Sequence, residues 1–150
     1  MAILLKRILL VDDNPRDIEL ALDALAHHNL ANEVVAVRDG AEALDYLYRR
    51  GQFAGRTGGQ PAVVLLDLKM PKVDGLQVLR EIRRTPELRL LPVVMLTSSN
   101  QEADIAECYS LGASAYVVKP VDFHDFVEAV KKTQMFWTLI NEPPPGTVPK

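Results

Sequence analysis

The sequence predicts an α/β protein: a doubly wound sheet of five parallel strands with helices on both faces. Three observations carry that expectation. Five short apolar runs alternate with five stretches patterned at helical spacing. Most of those runs are continuously apolar, as suits strands covered on both faces of a parallel sheet. Four of the five end in polar residues able to do chemistry, which matches the carboxyl edge of an open α/β sheet, where ligands bind. Strict βα alternation also implies right-handed crossovers. No internal repeat is visible, and no second domain fits.

The elements follow in order. Ile8–Val11 is the first strand and ends in Asp12 and Asp13. Asn14 is placed to cap the next helix, with Pro15 at its first position; its inner stripe is Ile18, Ala21, Leu22 and Leu25. Val34–Val37 is the second strand. Asp39 and Gly40 open a helix whose inward residues are expected to be Ala41, Leu44, Leu47 and Tyr48. Residues 51–60 form a Gly-rich loop, long for such a connection and expected to be loosely held. The third strand, Val63–Leu66, runs into Asp67, and Pro71 stops it. Val73-Asp74-Gly75 leads into a helix with Val78, Leu79 and Ile82 inward, closing near Thr85-Pro86. Pro92–Leu96 is the fourth strand, followed by Thr97-Ser98-Ser99, and its helix stops at Gly112. Ala115–Val118 is the fifth strand, ending in Lys119-Pro120. A last helix is expected from about Asp122 to Trp137. Residues 1–140 form one domain with a helical extension, and 141–150 a Pro-rich tail.

Composition limits the function classes. The 150 residues are 48% hydrophobic and 25% charged, ordinary for one globular domain with a real core. A net charge of −3 argues against a nucleic-acid partner. A single cysteine, Cys108, excludes an internal disulfide and suits a reducing cytosol. His27, His28 and His124 show no metal spacing. The first residues do not form a signal peptide, and no apolar run nears the roughly 20 residues needed to cross a membrane. The expected location is cytoplasmic.

The strand ends bring together Asp12, Asp13, Asp67, Thr97, Ser98 and Lys119. Each has a plainer role taken alone: Asp67 a turn cap, Thr97 or Ser98 the cap of the fourth helix, Lys119 a solvated cation. Taken together they make a site. Clustered carboxylates repel one another unless protonated or bound to a cation. An all-oxygen donor set suits Mg²⁺, with Mn²⁺ an alternative. A carboxylate can also attack a phosphoryl group and form an aspartyl phosphate. Lys119 and the Thr97 hydroxyl would then hold phosphoryl oxygens.

The pattern Asp12-Asp13, Asp67 with Met70-Pro71 and Asp74-Gly75, Thr97-Ser98, and Tyr116-Val117-Val118-Lys119-Pro120 resembles a two-component response-regulator receiver domain over about residues 6–138. The resemblance implies a CheY-like fold with strand order 2-1-3-4-5. It implies phosphotransfer to Asp67 from a sensor histidine kinase. It further implies direct Mg²⁺ ligation by Asp13 and Asp67, an acidic pocket completed by Asp12, and the main-chain carbonyl of Lys69 as a third protein ligand. Thr97 and Lys119 would contact the phosphoryl group, Tyr116 would be the switch aromatic, and the Lys119–Pro120 bond would be cis. Lys69 and Ser99 would overhang the phosphoryl group and tune its hydrolysis.

No output module follows the last helix, so the resemblance narrows to stand-alone receivers, and further to those serving bacterial phytochrome kinases. The long loop before the third strand and the aromatic ending Met135–Ile140 are the cues. Signalling would then run through contact with a downstream protein. A homodimer is expected through Tyr109, Tyr116, Phe136, Trp137 and Leu139, with no membrane partner. A P-loop enzyme is excluded because Gly55–Gly59 lacks the Lys-Ser/Thr ending and follows a helix. An aspartate-nucleophile phosphatase would want an acid where Lys69 stands. The remaining rival is a pseudo-receiver that binds partners without being phosphorylated, and the intact acidic, hydroxyl and lysine set argues against it.

Overall fold

A computed structural model describes residues 7–27, 33–70 and 73–119. The strands are β1 (Arg7–Val11), β2 (Glu33–Val37), β3 (Val63–Leu66), β4 (Val93–Thr97) and β5 (Ala115–Val118). The helices are α1 (Pro15–His27), α2 (Gly40–Tyr48), α3 (Gly75–Arg84) and α4 (Glu102–Ser110). All strand pairings are parallel, in the order β2-β1-β3-β4-β5, as the resemblance implies. The expected last helix, with Phe136, Trp137 and Leu139, lies outside the described residues. So do the Pro-rich tail, the Lys119–Pro120 bond and the Leu25 side chain.

Strand alternation divides the core into two layers. Leu9, Val11, Val64, Leu66, Val93 and Met95 face one way, against Ala43, Leu44 and Leu47 of α2, Val78, Leu79 and Ile82 of α3, and Cys108 of α4. Ile8, Leu10, Val63, Leu65, Val94, Leu96, Ala115 and Val117 face the other, against Ile18 and Ala21 of α1. Both faces of the three central strands are therefore dry, which is why their sequences read as unbroken apolar runs.

The helix ends follow local chemistry. The Asn14 side chain accepts hydrogen bonds from the main-chain N–H groups of Arg16 and Asp17, at 2.9 and 3.2 Å. Asp74 and Gln77 form a reciprocal capping box on α3. Gly112 has φ +100°, the left-handed turn that ends α4.

Two expectations need correction. In α2 the fully buried positions include Ala43 and Tyr46, whereas Ala41 and Tyr48 are only half-buried. The helix is rotated because Tyr46 packs edge-on against Phe53 at 5.1 Å. The loop 51–60 is also well fastened. Arg56 lies over the Tyr46 ring at 4.1 Å and donates to the carbonyls of Tyr46 and Gly59, each at 3.0 Å. Gln60 donates to the Leu47 carbonyl at 3.0 Å. One partly buried guanidinium thus fastens the loop alongside the Phe53 contact.

Candidate functional site

The sheet itself positions the site. Asp12, Asp67 and Lys119 each stand one residue beyond a strand, and each continues the ladder by one bond. Asp12 N–H donates to Val37 at 3.1 Å, Asp67 N–H to Val11 at 2.9 Å, and Lys119 N–H to Thr97 at 2.8 Å. Three side chains from distant parts of the chain are therefore held by main-chain geometry at one edge. Gly75 closes the site from beneath: a Cβ there would lie 2.2 Å from the Asp67 carbonyl oxygen. Only glycine allows α3 to start so close.

Asp12 and Asp67 are buried, while Asp13 is exposed. Their carboxylate oxygens lie within 4.8 Å of one another. Asp12 also accepts from the Asn14 main-chain N–H at 2.9 Å. The Lys119 ammonium stands 2.5 Å from Asp12, 3.0 Å from Asp17 and 3.4 Å from Asp67. Burial works against the ammonium, but the bonds to Asp12 and Asp17 and the charge on Asp67 outweigh it and hold Lys119 above its ordinary range. Burial is also the first cause acting on Asp67. Lys119 opposes it and Asp12 and Asp13 reinforce it, and the carboxyl is pushed up to about 6.

One lysine cannot balance the acidic groups around it. Three convergent carboxylates at the mouth of a sheet, with oxygen as the donor atom and one of them exposed to incoming water, fit a hard divalent ion. The Lys69 side chain is exposed two residues after Asp67, beside a cavity of about 270 Å³ shared with Leu68, Met70, Asp74, Leu76 and Asp104.

Thr97 is buried at the end of β4, and its hydroxyl oxygen accepts from the Ser99 N–H at 3.4 Å. Ser98 is exposed on the following turn. Neither caps α4: the cap position is Gln101, which makes no side-chain bond there. Ser99 instead donates to Asp104 at 2.5 Å and accepts from Gln101 N–H at 3.3 Å. Tyr116 on β5 donates to the Ser99 carbonyl at 2.8 Å. Tyr109 is exposed on α4.

The structure thus brings Asp12, Asp13, Asp67 and Lys119 together and sets Thr97 at the neighbouring strand end. Sequence reasoning missed Asp17 and Asp104. Asp17 carried only the signal of an acid in the first turn of a helix, which reads equally as a complement to the helix dipole. Asp104 carried the same weak signal in α4.

Comparison with known proteins agrees with this geometry. The response regulator receiver domain model matches residues 8–131. The bacteriophytochrome response regulator RtBRR superposes with a TM-score of 0.83 at 58% identity, covering 95% of this chain and 86% of that one. Response regulator Rcp1 of Synechocystis sp. is 36% identical over 132 residues, 88% of each chain. Its Mn²⁺-bound crystal structure gives a TM-score of 0.73 at 34% identity, covering 97% and 99%. The phosphorylated cyanobacterial phytochrome response regulator RcpA gives 0.76 at 39% identity, covering 98% and 100%. Among the described residues no helix is long and apolar enough to cross a membrane.

Proposed function

This chain belongs to the response regulator receiver domain family, and from that premise we propose that Asp67 is its phosphoacceptor, loaded by a sensor histidine kinase. The observation that carries the reading is the buried Asp67 carboxylate with the Lys119 ammonium 3.4 Å away and Asp12 and Asp13 beside it. An Asp67 oxygen attacks the phosphorus of a phosphohistidine. The new O–P bond forms as the P–N bond breaks, and the imidazole leaves with the bonding pair and takes up a proton. In dephosphorylation water attacks the same phosphorus, the bond from phosphorus to the Asp67 oxygen breaks, the Asp67 carboxylate returns and inorganic phosphate leaves.

Asp12, Asp13 and Asp67 would hold Mg²⁺ or Mn²⁺, with the Lys69 main-chain carbonyl as a further ligand. The bound ion supplies positive charge against the phosphoryl oxygens. Lys119 holds one phosphoryl oxygen by charge, and the Thr97 hydroxyl donates to another, with Ser98 alongside. Burial keeps Lys119 and Thr97 out of competition with bulk water.

The names of the similar proteins support a bacterial phytochrome as the kinase; contact with a downstream protein is the output we propose. Incubation with Mg²⁺ and acetyl phosphate, followed by mass spectrometry, tests the acceptor. A single phosphoryl group on Asp67 is expected, lost in Asp67→Asn. Labelling that persists in that variant, or none in the native chain, overturns the reading and leaves an interaction module that is not phosphorylated.

A further inference from the structure

We propose that Asp17 is a positioning residue: it shares the Lys119 ammonium with Asp12 and so sets how readily that ammonium passes to a phosphoryl group on Asp67. The inference rests on the phosphoacceptor reading of Asp67 and deepens it. An ammonium has three N–H donors and no acceptor. Here three carboxylates surround it, from Asp12 at 2.5 Å, Asp17 at 3.0 Å and Asp67 at 3.4 Å. All three donors are spoken for before any phosphoryl group arrives.

The three contacts are not equivalent. The Asp12 side chain is 2% exposed, and it also holds the Asn14 N–H. Asp17 sits on the first turn of α1 with its side chain 31% exposed. Water competes for a partly exposed carboxylate, so its ion pair is weaker than that of buried Asp12. A phosphoryl group on Asp67 adds oxygens that need a donor, and the donor released most cheaply is the one on Asp17. Asp17 therefore favours the unphosphorylated state in two ways. It must give up a bond when the phosphoryl group binds, and its negative charge opposes that group's own.

The probe is beryllofluoride with Mg²⁺, followed by intrinsic fluorescence or NMR titration. Neither this probe nor acetyl phosphate involves a kinase, so any effect of the substitution on kinase contact does not enter. Asp17→Asn is expected to bind the probe at least about two- to fivefold more tightly, since a surface ion pair sets the lower bound and this one is partly buried. Asp17→Glu keeps the charge and should restore native affinity. Glu19→Gln removes the same charge from an exposed position on the same helix and should leave affinity unchanged. Unchanged or weaker binding by Asp17→Asn overturns the proposal, as does an equal gain in Glu19→Gln. In either case the phosphoacceptor reading stands if the native chain binds the probe and Asp67→Asn does not. Failure of the native chain to bind the probe overturns both.

Discussion

The Tyr116 hydroxyl donates a 2.8 Å hydrogen bond to the main-chain carbonyl of Ser99, tying a ring on β5 to the turn that follows Thr97. If Thr97 moves toward a phosphoryl group, that turn moves with it, and the bond must break or follow. A phosphoryl mimic can drive this only by binding one arrangement better than the other. Tyr116→Phe should cost about 0.5–1.5 kcal/mol of stability, the worth of one hydrogen bond. Its Ser99 and Asn100 amide resonances should lie close to those of the native chain with beryllofluoride and Mg²⁺. Native spectra with an unmoved Tyr116 ring under that treatment would count against the coupling.

The pH dependence of stability follows from Asp67. Burial, opposed by Lys119 and reinforced by Asp12 and Asp13, raises its carboxyl from 3.8 to about 6. The folded state then holds this proton more tightly than the unfolded state. Its contribution to stability is present below pH 3.8 and is lost as pH rises to about 6. In EDTA, Asp67→Asn should be more stable than the native chain at pH 7 by about 1–2 kcal/mol, after allowance for Lys119. The gain should vanish near pH 4. Urea melts at both pH values check this, and an equal gain at both would reject the assignment.

Divalent ions should stabilise the fold. At tenfold excess over Kd, Mg²⁺ is expected to add about 1.4 kcal/mol, since it binds the folded chain alone. EDTA should reverse the rise in Tm. Asp13→Asn removes an exposed carboxylate from the cluster and should largely abolish it. A full Mg²⁺ response in that variant would place the ion elsewhere.

Gly75→Ala tests how the fold holds the site. Its Cβ would meet the Asp67 carbonyl oxygen at 2.2 Å and the Leu68 Cα at 2.9 Å, both main-chain atoms that cannot swing away. A loss of about 3 kcal/mol is expected, with acetyl-phosphate labelling slowed even where the chain remains folded. Native stability and labelling in this variant would show that α3 shifts freely.

Self-association is the remaining test. Tyr109 and Val118 are exposed apolar positions on α4 and β5, and the sequence places Met135, Phe136, Trp137, Leu139 and Ile140 in one cluster. Exposed apolar positions such as Tyr109 and Val118 suit an interface. The full chain should sediment as a dimer at micromolar concentration, and removal of residues 135–150 should give a monomer that still labels at Asp67. A full-length monomer would end the dimer proposal.

The five strands to within a residue, the Asn14 cap and the convergence of Asp12, Asp13, Asp67 and Lys119 at one edge were legible along the chain by itself. Apolar runs, capping residues and strand-end polarity are local, and a βα repeat sends every such end to the same edge. The strand order was not legible from pattern alone and came with the family resemblance. Only the tertiary structure decided that Lys119 meets Asp17, 102 residues away, as well as Asp12 and Asp67. It alone placed Ser99 between Asp104 and Tyr116, turned Tyr46 inward, and fastened the 51–60 loop through Arg56. These are through-space choices among several chemically equivalent partners. Periodicity narrows which side of an element a residue faces, but the sharing of one ammonium among three carboxylates depends on distances and burial that no repeat along the chain records.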